Sequence, residues 1–428
     1  MNHLQGVLMN EHDESPLTET PDTQRKGFLP IALVLFSFTF FTGTMFAGGK
    51  IGVAFEFIDI LWITAIGNLL LALYAASLGL ISARSGLNTV LMGRFCFGNL
   101  GSKLSDFLLG FAELGWFAWG AATLAISLAK IIHLPEAWNI PLMVMFGLGF
   151  SITALIGFKG LEYLSRVSIP LMFLLLLGSI YLATKEIGGW EGLNSVQPTE
   201  SLTYATAITM VFGTFASGAT QITNWTRMAK SSRVAVWACL ISFVIGNGLM
   251  VLAGAWMAIV YQQSDIVEVL ILQGLSLAAI IMLCLNLWTI QGPTIYNVSA
   301  AACHLVRSER RKTMVMISAV VGIILAVLGM YELLIPFLLL LGAIIPPVGG
   351  VIMADYWVRY KGKYPRLAEA QLPNFNWIGL IAYSLGAVCA YTSPWIAPLV
   401  GIAVAFICYS VLNALFPVKQ AVLQQAAE

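Results

Sequence analysis

Long apolar runs separated by short polar and basic stretches occupy the chain from residue 28 onward. With about 20 apolar residues as the length that crosses a hydrocarbon core, the pattern predicts twelve helices. They lie near 28–50, 58–81, 106–132, 139–157, 161–183, 203–226, 234–261, 272–303, 313–330, 333–354, 376–393 and 397–415. Runs this continuous exclude a transmembrane barrel, whose strands are alternating segments of roughly ten residues. The fold class that follows is an all-α polytopic membrane protein, because helices satisfy their own backbone polar groups inside lipid.

Composition sharpens this reading. Of the 428 residues, 59% are apolar or aromatic and 10% are charged, where a soluble domain carries roughly a quarter charged. Charge placement sets the orientation: with the N-terminus inside, 19 of the 22 Lys and Arg residues fall on the cytoplasmic side, leaving only Lys50, Lys130 and Lys185 outside. Both termini are therefore expected in the cytoplasm of a bacterial inner membrane. Residues 1–26 are polar and acidic (Glu11, Asp13, Glu14, Glu19, Asp22) and lack the apolar core of a cleavable signal, so a disordered cytoplasmic tail is expected there, with a second tail at 418–428. The scattered cysteines form no CxxC pair, which argues against zinc or a disulfide framework. The net charge of +1 carries no nucleic-acid footprint, and the expected partners are the bilayer and a small solute, with no cofactor and no obligate protein partner.

Helices two and seven share the tripeptide Ile66-Gly67-Asn68 and Ile245-Gly246-Asn247. At nearly the same offset, helices one and six interrupt their apolar runs with Thr42-Gly43-Thr44 and Ser217-Gly218-Ala219-Thr220. Copies five helices apart are inserted with opposite topology, which is the inverted repeat of many secondary transporters, with a site near the midplane between broken helices. The expected division is repeat one over about 27–183, repeat two over about 203–354 and extra helices over about 375–416, all within a transporter domain of 27–417. Small residues that let helices pack closely produce a similar pattern.

Glu113 in helix three is an intramembrane carboxylate, a functional candidate by default because of its cost in lipid. Trp116, Phe117 and Gly120 share its helical face. An acid beside an indole suits a flat, nitrogen-rich solute, the ring stacking and the carboxylate accepting N–H bonds. A structural glutamate satisfied by a neighbouring helix is the alternative. In helix eight, Asn286 and Thr289 lie one turn apart, and their oxygens suit a small cation completed by carbonyls of an unwound helix, or equally an interhelical hydrogen bond. Lys50 near the outer end of helix one reads as a snorkelling residue or as a tethered ammonium. Histidines 3, 12, 133 and 304 lie in tails or at helix ends and give no pattern for an intramembrane relay.

The segments Ile66–Leu71, Arg94-Phe95-Cys96-Phe97-Gly98, Gly115-Trp116-Phe117, Leu285-Asn286-Leu287-Trp288-Thr289 and Ile344–Tyr356 make the chain, from Arg25 to about Pro417, resemble the bacterial cytosine permeases of the nucleobase–cation symport-1 family. That resemblance implies a LeuT-like five-plus-five inverted repeat with two further C-terminal helices. It implies a base sandwiched between Trp116 and Phe215, with its edge held around Thr214 to Ser217. Glu113 and Gln291 complete the expected substrate site, and Ser37, Phe40, Asn286 and Thr289 the expected cation site, with sodium or a proton as the coupling ion.

The chain departs from its relatives at points that bear on chemistry. Glu113 stands where a cytosine permease has Gln, Ile290 where the second of two Thr ligands stands, Gln291-Gly292-Pro293 in place of Asn-Asp-Asn, and Lys50 in place of Thr. The function expected is a cation symporter, not an enzyme, importing a nucleobase such as cytosine or a related aminopyrimidine by alternating access. The alternative is a proton-coupled importer of another nitrogenous solute, a thiamine-precursor pyrimidine or an organic cation, on the same fold.

Overall fold

A computed structural model describes residues 19–156, 158–306, 308, 310–417 and 421–422. Residues 1–18, Arg307 and most of 418–428 lie outside the described residues, and with them the outer parts of both expected tails.

The first predicted segment is a bent pair, α1 (Phe28–Thr39) and α2 (Thr42–Gly52), angled at 53°. There follow α3 (Phe57–Ser85), a short α4 (Thr89–Phe97), α5 (Lys103–Ile131), α6 (Asn139–Ile156), α7 (Phe158–Glu186) and a short α8 (Trp190–Ser195). The sixth segment is broken into α9 (Tyr204–Gly213), α10 (Ala216–Thr220) and α11 (Thr223–Thr226). The seventh joins α12 (Ser232–Ile241) to α13 (Gly248–Tyr261) through a π-helical turn over Ser242–Asn247, and the outer loop that follows carries α14 (Ile266–Leu272). The rest comprises α15 (Ser276–Val306), α16 (Arg311–Val327), α17 (Leu334–Ile344), α18 (Pro346–Ala354), α19 (Trp377–Thr392) and α20 (Ala397–Leu415).

Each of the twelve predicted segments coincides with one helix or one interrupted helix. By length and composition six of these qualify as membrane spans among the described residues, and the bent α1–α2 pair makes a seventh. Helices α4, α8 and α14 were not legible as elements in the sequence. They are short, and local caps start two of them: the Asn88 side chain accepts from the Leu91 N–H, and Asp265 accepts from that of Val267. Gly86, at φ 71°, ends α3 in a left-handed cap.

Two bodies emerge from the packing. One joins α5, α6, α15 and α16; the other joins α1, α2, α3, α9, α12 and α13. The repeated tripeptides meet inside the second body, where the Asn247 amide donates to Asn68 Oδ1 at 2.7 Å. Close approach there depends on glycine: a Cβ on Gly48 would lie 2.0 Å from the Val251 carbonyl oxygen, so α2 and α13 touch backbone to backbone.

The tail expected to be disordered over 1–26 is held over residues 19–26. Lys26 N–H bonds the Met228 carbonyl at 2.6 Å, Arg25 Nη1 bonds the Ala83 carbonyl at 2.5 Å, and Glu19 accepts from the Leu367 N–H at 2.5 Å. Arg25 meets the last carbonyls of α3, where a cation is favoured by the helix dipole. At the same face buried Asp355 accepts from Tyr409 at 2.5 Å and Tyr364 at 3.0 Å and pairs with Arg359 at 3.4 Å, tying α20 to the end of α18.

Candidate substrate site

The first break falls at Phe40–Phe41, the second at Thr214–Phe215. Both lie just before the Gly, Ser and Thr residues taken from the sequence as the interruptions. Those residues instead open the second half-helices, where small size lets aromatic rings fold back. A Cβ on Gly43 would lie 2.5 Å from the Phe41 ring, and one on Gly218 would lie 2.8 Å from Phe215 and 2.9 Å from Phe38.

Between the two bodies lies a small cavity. Phe38 and Phe41 line it from the first broken helix, and Thr214, Phe215, Ser217 and Gly218 from the second. On the opposite wall stand Glu113 and Trp116 of α5 and Ile290 and Thr294 of α15. The Phe41 ring stands edge-on to Trp116 at 5.3 Å and to Phe215 at 6.2 Å, leaving it as the wall between them.

Glu113 is 3% exposed. Gln221 Nε2 donates to its Oε1 at 3.1 Å, and the Ser217 and Asn297 side chains stand beside it. A carboxylate offers about four acceptor positions. The bond from Gln221 leaves acceptor capacity for a donor on a solute. The Gln221 bond joins the broken sixth segment to α5, while Asn297 stands on α15 beside Glu113 within one body.

Of the expected substrate residues, Glu113, Trp116, Thr214, Phe215 and Ser217 come together around the cavity, and Gln291 stands apart. Its amide donates to the Trp116 carbonyl at 3.2 Å and packs on Gly120, where a Cβ would lie 1.9 Å from Nε2. The reason is rotation along α15: Asn286, Ile290, Thr294 and Asn297 share one face, and Gln291 lies about 100° round from Ile290. The sequence reading missed Phe38, Phe41, Gln221 and Asn297. Gln221 sits one turn after Ser217 and Asn297 three turns after Asn286, spacings that carry the signal.

Among the expected cation residues, Asn286 reaches the first break and closes it. Its Nδ2 donates to the Phe40 carbonyl at 2.7 Å and its Oδ1 accepts from Thr42 N–H at 2.9 Å. Thr289 turns back on its own helix, bonding the Asn286 carbonyl at 2.8 Å, and Ser37 is half-buried in the last turn of α1. Lys50 pairs with Glu200 at 3.2 Å in a part-exposed setting, as a snorkelling residue does.

Residues 20–417 match the family described as permeases for cytosine/purines, uracil, thiamine and allantoin. The chain belongs to that permease family. The cytosine permease of Escherichia coli K12 is 34% identical over 405 residues, 94% of either chain. The hydantoin permease of Microbacterium maritypicum is 22% identical over 425 residues, covering 90% of this chain and 85% of its own. In fold, this permease is similar to the inward-facing conformation of Mhp1, with a TM-score of 0.83 at 18% identity over 98% of this chain and 96% of the other. Mhp1 closed on bromovinylhydantoin, a nucleobase–cation symport-1 transporter, gives 0.80 at 18% identity over 94% and 96%. The LeuT-like fold follows, and this family member is a multi-pass membrane transporter of the nucleobase type rather than an enzyme.

Proposed function

We propose that this permease imports a nucleobase or a related aminopyrimidine by cation symport, with one helical body rocking against the other around a fixed midplane site. The observation that carries the reading is the buried Glu113 carboxylate in a cavity also walled by Trp116 and Phe215. A flat ring stacks on the aromatic faces, and one ring or exocyclic N–H meets the carboxylate.

Uptake and competition in proteoliposomes test it, with labelled cytosine against uracil, hydantoin and aminopyrimidines. Trp116→Ala is expected to remove about 1–3 kcal/mol of binding, the scale of one base stacked on one aromatic ring. Competition by aliphatic amines and by no planar ring overturns the reading.

The accompanying topology is twelve crossings of a bacterial inner membrane with both termini in the cytoplasm, supported by the Lys and Arg asymmetry of the loops. Reporter fusions at Lys361 and Glu191 are expected on opposite sides, the first cytoplasmic. Finding both on one side defeats the count.

A further inference from the structure

Glu113 is not the only buried carboxylate on its helix face. Helices α5 and α15 run antiparallel in a regular register from the cavity to the inner end. Glu113 meets Asn297, Gly110 faces Ala301, Asp106 faces His304, and Lys103 Nζ bonds the Leu305 carbonyl at 2.8 Å. Asp106 lies seven residues before Glu113, two turns along the same face and about 10 Å along the axis. Between the two carboxylates the same face carries Leu109 and Gly110, a Cβ on Gly110 falling 3.1 Å from that of Ala301.

Asp106 is 2% exposed, and its Oδ2 lies 4.0 Å from His304 Nδ1. Asp106 Oδ1 and His304 Nε2 are both buried with no hydrogen-bond partner among the described residues. A carboxylate and an imidazole left with open positions, at the mouth of a narrow seam, form an arrangement whose cost in lipid marks function. The other charged groups around Asp106 are Lys103 on its own helix and Arg94 on α4; Arg311, at the start of α16, lies over the Tyr296 ring at 3.4 Å. Sequence position hid the pair, since His304 reads as a helix-end residue until α5 is packed over it.

We propose that Asp106 and His304 form the inner proton-release site of the transporter, which makes the proton the symported cation. The proposal rests on Glu113 being the cavity carboxylate. Glu113, protonated from the outer side, gives its O–H proton to water admitted when the cavity opens inward, becoming the anion that Gln221 stabilises, and that water hands the proton to the Asp106 carboxylate. Asp106 then passes the proton to the His304 imidazole, and the imidazolium gives it to cytoplasmic water. Each group returns to its starting charge and no electrons change hands. The first break needs no metal in this scheme, because the Asn286 amide already bonds both Phe40 and Thr42.

Proteoliposomes in sodium-free buffer test this with labelled cytosine as probe, in counterflow and under an imposed pH gradient. Acidifying the outside is expected to drive accumulation by the parent protein. Asp106→Asn and His304→Gln are expected to lose that accumulation, as removal of a proton-transfer group predicts, while counterflow stays intact. Counterflow without acid-driven accumulation overturns the proton site and leaves the nucleobase reading standing. No counterflow counts against the nucleobase reading itself, and pH-difference infrared spectra of the same liposomes then decide the proton site. A protonated-carboxyl band removed by Asp106→Asn supports it; absence of such a band overturns it. Equal loss of accumulation and counterflow in both variants, with folded protein, marks a packing role and overturns it as well.

Discussion

The two broken helices carry the same kind of sequence signal and do different work. At Phe40–Phe41 the exposed backbone is met from outside its own helix, by the Asn286 side chain of α15. At Thr214–Phe215 it is met from within, Thr214 N–H bonding Met210 and Phe215 N–H bonding Phe212, with the Thr214 hydroxyl on Val211. The first break is thus a joint between the two bodies. The second turns its side chains, Phe215 and Ser217, into the cavity. Unwound backbone in a bilayer has to be bonded somewhere, and here the first break is bonded across to the other body and the second within its own segment.

Cutting the joint has the largest expected effect. Asn286→Ala leaves the Phe40 carbonyl and the Thr42 N–H bare in a buried place, and a destabilisation on the order of 2–5 kcal/mol follows from two lost partners. Thermal unfolding in detergent measures it. A midpoint that does not move means the break is satisfied some other way, and the contrast fails.

At the second break, Phe215→Leu keeps most of the apolar volume and removes the aromatic face. Affinity for a planar solute is expected to fall by about 1–3 kcal/mol, or roughly 5–150-fold, with the unfolding midpoint close to that of the parent. Equilibrium binding beside the melting curve separates the two quantities. Unchanged affinity with a large loss of stability would make this break a joint too.

The smallest effect is expected at the outer end of the first broken helix. Lys50 and Glu200 have side chains 36% and 48% exposed, so Lys50→Gln is expected to cost less than about 1 kcal/mol and to leave uptake unchanged under every ion gradient. Loss of gradient-driven uptake with retained exchange would bring the ammonium into the coupling chemistry.

Much of this contrast was out of reach of the sequence. The twelve segments were legible because lipid demands a fixed apolar length and sorts Lys and Arg by side. The breaks were misplaced by a few residues, because Gly43 and Gly218 advertise flexibility while the bend falls on the phenylalanines beside them. Glu113, Trp116 and Phe215 were legible through cost, face and resemblance. Gln291 was misplaced because polarity does not report which way a helix is turned, and Gln221 and Asn297 were passed over although their helical spacing from Ser217 and Asn286 marks the face they share.

The hydrogen bond between Asn68 and Asn247 has a consequence for how such a molecule arises. Two identical residues at equivalent places of inverted halves, touching each other, form the self-complementary contact of a twofold dimer contained within one polypeptide. In a dimer of separate copies each asparagine would have to play both parts. Here the parts are fixed: Asn68 donates to the Thr64 carbonyl, and Asn247 donates both to Asn68 and to the Thr214 hydroxyl beside the cavity. Fusion therefore frees one half from its twin's obligations, and only the second copy's asparagine reaches a residue lining the cavity, Thr214.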